Sequence, residues 1–222
     1  DDTCCLANVF AAKWQKATDG GADLPDLYVI QISVGGQGIA EFEVHGWNMW
    51  YSMRAPKLKP GVFGVCDISL YPLATDILSL AVMNLIAAGK KPRIIGLHWN
   101  QWETEADTGS KALNDAEANY RNLFWGFFTA LGSDKNGTGI PLYLYRPLCE
   151  TLPDDRTKKL SDLFDTFTKS YTDCRMMDAR ESGFYDDTPR THGIFQPDGG
   201  HYLPEVHRYF ADRQWKDIFG NN

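Results

Sequence analysis

The sequence lacks both an excess of basic residues and a long apolar run. Its 222 residues carry 22 Lys and Arg against 29 Asp and Glu, which gives a net charge of −7. Nucleic acids and anionic membranes bind clustered basic side chains, so this balance argues against both partners. The longest apolar run, residues 77–88, is shorter than the ~20 residues that span a bilayer, and we expect it to form a buried helix.

Patterns typical of disulfides, metal sites and nucleotide sites are missing too. The five cysteines are odd in number and follow no metal-ligand spacing, so we expect mostly buried thiols and no metal ion. No glycine-rich loop with the expected Lys or Ser/Thr joins a strand to a helix, which disfavours nucleotide binding. The sequence therefore predicts no cofactor.

The composition is that of a folded domain. Apolar residues make up 43% of the chain, aromatic residues 13% and charged residues 23%, far from the polar, highly charged composition of disordered chains. The length is that of one ordinary domain. We therefore predict a single domain over residues 1–222.

Predicted strands and helices alternate along the chain. Short runs rich in β-branched and aromatic residues predict strands at 27–34, 93–99, 140–145 and 171–177. Apolar residues three and four apart predict helices near 6–14, 72–88, 113–131, 160–167 and 204–218. This alternation indicates an α/β fold with a parallel sheet between two layers of helices. Sites in such sheets lie beyond the carboxyl ends of the strands.

The most informative segment is Asp198-Gly-Gly-His201, which lies directly before the last predicted helix. On a turn with two glycines, the Asp198 carboxylate can fold back onto one nitrogen of the His201 ring. That contact fixes the tautomer and leaves the other nitrogen free as a general base. The simpler interpretation is an aspartate that caps a turn beside a surface histidine.

Two further segments contain candidate hydrogen-bond donors. Gln101 follows the predicted strand 93–99, and a side-chain amide at a strand end suits an oxyanion hole. Gly35 and Gly36 follow the predicted strand 27–34 and offer backbone N–H groups in a turn that glycine accommodates easily. The simpler interpretations are a polar loop at a helix start and an ordinary tight turn.

Taken in this order, the three segments resemble the sialate O-acetylesterase and acetylxylan esterase-like branch of the SGNH hydrolases, also called GDSL-type esterases. In that branch a strand ends in Gly-Gly-Thr/Ser, and here Gln37 holds the third place. A later strand runs into Trp-His-Gln-Gly-Glu, and residues 99–103 read Trp-Asn-Gln-Trp-Glu. A terminal Asp-x-x-His precedes the last helix, as Asp198 and His201 do.

The resemblance implies a three-layer α/β/α fold with a flavodoxin-like parallel sheet, together with a set of site residues. His201 would be the general base and Asp198 its orienting carboxylate. Asn100 and Trp102 depart from the pattern of the branch, where His and Gly occupy these places. The other implied roles are oxyanion donors (Gly35, Gly36 and Gln101) and a supporting residue (Glu103). Apart from the resemblance, we take Asn100 as a further supporting candidate and Trp47 and Trp102 as candidate substrate-contacting rings.

The serine nucleophile of this branch has no counterpart in the sequence. Family members begin with a strand that ends in Gly-Gln-Ser-Asn or Gly-Asp-Ser, whereas residues 1–32 contain no serine and Ser33 lies inside a predicted strand. That first strand is central in the fold, and each buried unpaired backbone group would cost about 1–3 kcal/mol. We therefore expect the strand and its serine on an upstream segment or another chain, which makes residues 1–222 an amino-terminally incomplete domain.

Two functions follow as expectations. The first is a serine hydrolase that removes O-acetyl groups from an acetylated carbohydrate through an acyl-serine intermediate, without a metal ion. The second is a catalytically inactive, esterase-like glycan-binding or assembly module of a larger extracellular or virion structure. A divergent relative with rearranged strands and no activity is compatible with the second function.

Overall fold

A computed structural model of the chain describes residues 5–33, 38–40, 50, 70–108, 110–148, 152 and 154–220. These residues form two compact units. Unit 1 contains the described residues of 1–31 and 177–222, and unit 2 contains those of 32–148 and 152–176. Each unit is considered on its own below.

The described part of unit 2 contains four helices and most of a small sheet. The helices of unit 2 are α2 (Leu70–Ala87), α3 (Glu103–Thr108), α4 (Ser110–Ala130) and α5 (Asp154–Ser170). Unit 1 contains α1 (Leu6–Asp19), a 3₁₀ turn (Ala179–Ser182) and α6 (Pro204–Phe219). These bounds confirm each predicted helix, with ends that differ by several residues in places. Helix α6 begins at Pro204, whose fixed φ suits the first position of a helix.

Three strands form an open parallel sheet in the order β1 (Leu97–Trp99), β2 (Leu142–Tyr145) and β3 (Cys174–Met177). Leu97 of β1 pairs with Leu142 of β2 in parallel register. All four residues of β2 are buried, as expected for the middle strand. The α/β class and the parallel sheet are therefore confirmed, whereas the three-layer arrangement stays a prediction.

The core of unit 2 is built from aromatic rings. Helix α4 buries Tyr120, Phe124 and Phe127 along one face, at the spacing the sequence predicts. Trp99 at the end of β1 contacts all three rings, with centroids 6.0–6.4 Å apart. Edge-to-face contacts of this kind stabilise a core beyond the area that the rings bury. The end of β1, which leads into Gln101, is therefore held in a well-packed core.

Helices α1 and α6 pack together in unit 1. Phe10 and Trp14 of α1 are buried, and their rings lie about 6 Å from Trp215 of α6. The indole N–H of Trp14 also donates to the carbonyl of Pro25, 3.0 Å away. This pairing anchors α6 directly after the segment that carries Asp198 and His201.

The predicted strand at 27–34 is wrong over its described part. Residues 27–33 have no strand structure, and Tyr28, Val29 and Ile30 are 42–55% exposed. A high β-propensity describes how well side chains fit a pleated sheet, and a strand forms only where a neighbour supplies the ladder. No described strand pairs with this segment.

The helix expected over residues 77–88 is present, but the expectation that it is buried is wrong. Helix α2 begins earlier, at Leu70, and buries Leu70 and Ala74 but leaves Leu80, Met83 and Ile86 55–63% exposed. Its 18 residues have a mean hydropathy of 1.6. By length and composition alone it meets the criteria for a membrane span, which helices of soluble proteins and signal sequences also meet.

Candidate functional site

Asp198 and His201 lie at the tip of a closed loop in unit 1. Phe195 and Tyr202 form an antiparallel bridge at its base, and their rings stack with centroids 5.1 Å apart. The N–H of Gln196 donates to the carbonyl of His201 at 2.7 Å. The apolar residues that flank the polar tip are buried, so they hold both ends of the loop in place.

The structure shows the predicted contact between the two residues. Asp198 Oδ2 lies 2.6 Å from His201 Nδ1. Asp198 Oδ1 accepts the backbone N–H groups of Gly200 at 2.9 Å and His201 at 3.0 Å. The carboxylate therefore orients both the imidazole ring and the turn that carries it. The His201 side chain is 82% exposed, and its other ring nitrogen bonds to no residue that the structure describes.

Hydrogen bonding favours the ionised form of Asp198. The backbone N–H groups of His201 and Gly200, followed by the His201 ring, lower the pKa of Asp198 to about 2. At neutral pH the carboxylate is therefore ionised and can only accept, so the shared proton lies on His201 Nδ1. That tautomer leaves a lone pair on Nε2, which is the arrangement of a general base.

The neighbouring backbone holds unusual conformations. Arg190 and His192 have φ values of 70° and 45°, in the left-handed region that non-glycine residues rarely adopt. The guanidinium of Arg190 donates to the carbonyl of Asp198 at 3.3 Å. Such strain persists only where the surrounding structure over-determines it, and it clusters at functional sites.

Gln101 lies in unit 2, two residues beyond the end of β1. Its backbone carbonyl accepts two hydrogen bonds from buried rings, the indole N–H of Trp99 at 2.9 Å and the hydroxyl of Tyr120 at 3.0 Å. The backbone is therefore fixed at the position where the sequence predicts an oxyanion donor. The side-chain Nε2 donates to Glu105 Oε2 at 2.7 Å, whereas Oε1 is buried and has no hydrogen-bond partner among the residues that the structure describes.

Glu105 is a functional candidate that the sequence interpretation missed. Its side chain is fully buried, and Oε1 accepts the backbone N–H of Ile39 at 2.7 Å. Burial raises the pKa of Glu105 to about 7, although the bonds from Ile39 and Gln101 oppose the rise. Gln101 and Glu105 are four residues apart at a helix start, and this spacing places side chains on one side of a helix. The spacing is the feature of the sequence that could have indicated Glu105.

The supporting role of Glu103 stays a prediction. Glu103 is exposed, and its Oε2 accepts the backbone N–H of Trp102 at 3.0 Å. Asn100 is exposed too. Trp102 is 2% exposed, so its ring is covered by protein and we place it in the core rather than at a substrate surface. Gly35, Gly36 and Trp47 lie outside the described residues.

The two groups of residues suit different chemical tasks. Asp198 and His201 in unit 1 can take up and return a proton. Gln101 in unit 2 can donate a hydrogen bond from a fixed backbone. Among the residues that the structure describes, no three His, Cys, Asp or Glu side chains are arranged to hold a metal ion.

Comparisons with known proteins add nothing to this geometry. No family model, curated protein or solved structure matches the chain.

Proposed function

We propose that this chain is the base-carrying part of a serine hydrolase that removes O-acetyl groups from carbohydrates. The observation that carries the proposal is the 2.6 Å contact between Asp198 Oδ2 and His201 Nδ1 on an anchored, exposed loop. In this proposal an upstream segment or another chain provides the nucleophilic serine. The carbohydrate class rests on the resemblance of the three motifs alone.

The proposed reaction follows from the protonation states. Nε2 of His201 takes the proton of the serine hydroxyl as its oxygen attacks the ester carbonyl. The ionised Asp198 stabilises the imidazolium that forms. When the tetrahedral intermediate collapses, His201 returns the proton to the departing sugar hydroxyl and leaves an acetyl-serine. Water then attacks the acetyl-serine by the same route, which releases acetate and restores the serine.

The test uses the protein together with the segment or chain proposed to carry the serine, and an acetylated sugar as substrate. We expect wild-type protein to release acetate and His201→Ala to lose at least about 10²-fold in kcat/KM, because general-base catalysis contributes about 10²–10⁴-fold. His192→Asn is the matched control. It removes an imidazole from the same loop, and asparagine tolerates the left-handed backbone there.

Two outcomes would contradict the proposal. One is the absence of acetate release from any acetylated sugar by folded wild-type protein. The other is a rate that is unchanged in His201→Ala. Binding of the sugar without hydrolysis, unaffected by His201→Ala, would instead support the non-catalytic glycan-binding module.

A further inference from the structure

A groove of about 440 Å³ lies between helices α2 and α4 of unit 2. Its volume falls in the ~300–1,000 Å³ range of small-molecule sites. The residues that line it include the indole ring of Trp125, the carboxylate of Asp76 and the polar side chains of Asn122 and Thr129. None of the lining residues takes part in the proposed hydrolysis, which therefore does not account for this groove.

Contacts between the two helices fix the shape of the groove. The Tyr71 ring of α2 occupies the space beside Gly126 of α4 and lies against the Phe127 ring, with centroids 6.0 Å apart. Farther along both helices, the Ser79 hydroxyl donates to the carbonyl of Ala130 at 3.2 Å. The groove is therefore formed before any ligand arrives, which reduces the entropy lost on binding.

Trp125 differs from the other tryptophans that the structure describes. It is 55% exposed, whereas the other five are buried or half-buried, namely Trp14, Trp50, Trp99, Trp102 and Trp215. Asn122 and Thr129 lie three residues before and four residues after it, so the three side chains lie on one side of α4. A large apolar ring with polar neighbours is thus left on the surface at the groove.

Asp76 is the only charged residue among the 18 residues of α2. It is exposed, so its two oxygen atoms can accept hydrogen bonds from a ligand. No Lys or Arg lines the groove. A phosphate or carboxylate ligand would therefore meet a negative charge and no positive one, which disfavours anions.

We propose that the groove between α2 and α4 binds a neutral carbohydrate, with a sugar ring stacked on Trp125 and its hydroxyl groups bonded to Asp76 and to the polar side chains of α4. A pyranose ring has an apolar face of C–H groups and an edge of hydroxyl groups that donate and accept. The face suits an indole ring, and the edge suits a carboxylate beside an amide and a hydroxyl. The inference does not depend on the esterase function, because this binding uses neither Asp198 nor His201.

An organic cation is the alternative ligand for an aromatic ring beside a carboxylate. The two ligands need different properties of Asp76. A sugar hydroxyl needs an acceptor atom, whereas a quaternary ammonium group needs the negative charge. Asp76→Asn removes the charge and keeps an oxygen that accepts, so this variant separates the two ligands.

The binding test titrates the full chain by calorimetry with cellobiose, xylobiose and mannobiose, and with choline as the cationic ligand. We expect a disaccharide to bind and Trp125→Ala to weaken that binding at least about tenfold, because the ring supplies the main apolar contact. Asp76→Ala should weaken binding too, and Asp76→Asn should keep most of the wild-type affinity. Tyr28→Ala is the matched control, since it removes another ring that is 55% exposed and should leave binding unchanged.

The place of binding has its own readout. The NMR signal of the Trp125 indole N–H, identified by its loss in Trp125→Phe, should shift when the disaccharide is added. A signal that stays in place while the sugar binds would overturn the inference, because the sugar would then lie elsewhere. Equal affinities of wild-type protein and Trp125→Ala would overturn it as well.

Two further outcomes would contradict the inference. One is the absence of binding by all three disaccharides. The other is binding of choline alone, abolished in Asp76→Asn, which would assign the groove to a cation. The disaccharides carry no ester, so they report on binding only. A protein that releases no acetate would fail as an esterase and could still bind the sugar here, which keeps the two proposals distinguishable.

Discussion

At the scale of single residues, two carboxylates illustrate opposite environments. Asp198 lies on an exposed turn where N–H donors lower its pKa to about 2. Glu105 lies in the core of unit 2, where burial raises its pKa to about 7. The first is a permanent negative charge that orients a ring. The second is a group that gains and loses a proton near neutral pH.

Asp198→Asn tests the orienting role of the first carboxylate. The amide oxygen can still accept from Gly200 and His201, so the turn should be retained. The amide nitrogen can only donate to the ring, which forces the tautomer whose Nε2 carries a proton. We expect kcat/KM for acetate release to fall on the order of 10²–10⁴-fold while the folded state is kept. Asp187→Asn, on an exposed part of the same loop, is the control. A fully active Asp198→Asn would contradict this role.

The pH dependence of stability tests the second carboxylate. A pKa that folding raises from 4.5 to about 7 means that the folded state binds the proton more tightly. This contribution is about 3 kcal/mol below about pH 4.5, and it is lost as pH rises through about 7. Urea unfolding between pH 4.5 and 8 should show this decline in wild-type protein and a flatter profile in Glu105→Gln. If the stability of wild-type protein and of Glu105→Gln declines equally with pH, the decline does not come from Glu105.

The sequence predicts the contact that Asp198 makes but not the contacts that Glu105 makes. Asp198 and His201 are three residues apart on a glycine turn, so their contact depends on local geometry. Glu105 meets Ile39 across 66 residues, and only the tertiary fold brings them together. Glu103 matched the motif, but it lies on the outer side of α3, where a side chain meets solvent.

At the scale of elements, Gly126 explains how α2 approaches α4. A glycine inside a helix costs about 0.5–1 kcal/mol relative to alanine. Here a Cβ on residue 126 would overlap the hydroxyl of Tyr71 and lie 2.7 Å from its Cζ atom. The tyrosine ring of α2 therefore occupies the space that a side chain on residue 126 would fill.

A double-mutant cycle tests this explanation. Gly126→Ala should stabilise unit 2 by about 0.5–1 kcal/mol in a Tyr71→Ala background, where only the helix preference acts. In the wild-type background the gain should be absent or reversed, since the ring must move. The free energy of urea unfolding measures both effects. Equal gains in the two backgrounds would show that Tyr71 and Gly126 are independent.

Helices and strands were not equally predictable. A helix satisfies its backbone hydrogen bonds internally, so the spacing of apolar residues in α4 or α6 is enough to place it. A strand depends on a neighbour. Residues 142–145 have neighbours on both sides and form the buried centre of the sheet, whereas the equally apolar residues 27–33 have no described neighbour and form no strand.

At the scale of the whole molecule, the sequence predicts the α/β class and one half of the site, and the structure divides the candidate residues between two units. Asp198 and His201 belong to unit 1, and Gln101 and Glu105 belong to unit 2. The alternation of elements was enough for the class because each helix and strand has its own local signal. A contact between residues far apart in sequence, such as that of Glu105 with Ile39, depends on long-range packing, which no local pattern encodes.

The outward side of α2 has a practical consequence for anyone who purifies this protein. Leu80, Met83 and Ile86 are more than half exposed, and kosmotropic salts such as ammonium sulfate favour the burial of exposed apolar side chains. The folded chain should therefore be retained on a phenyl-substituted resin at moderate salt and precipitate early in a salt series, despite its acidic isoelectric point near 5.2.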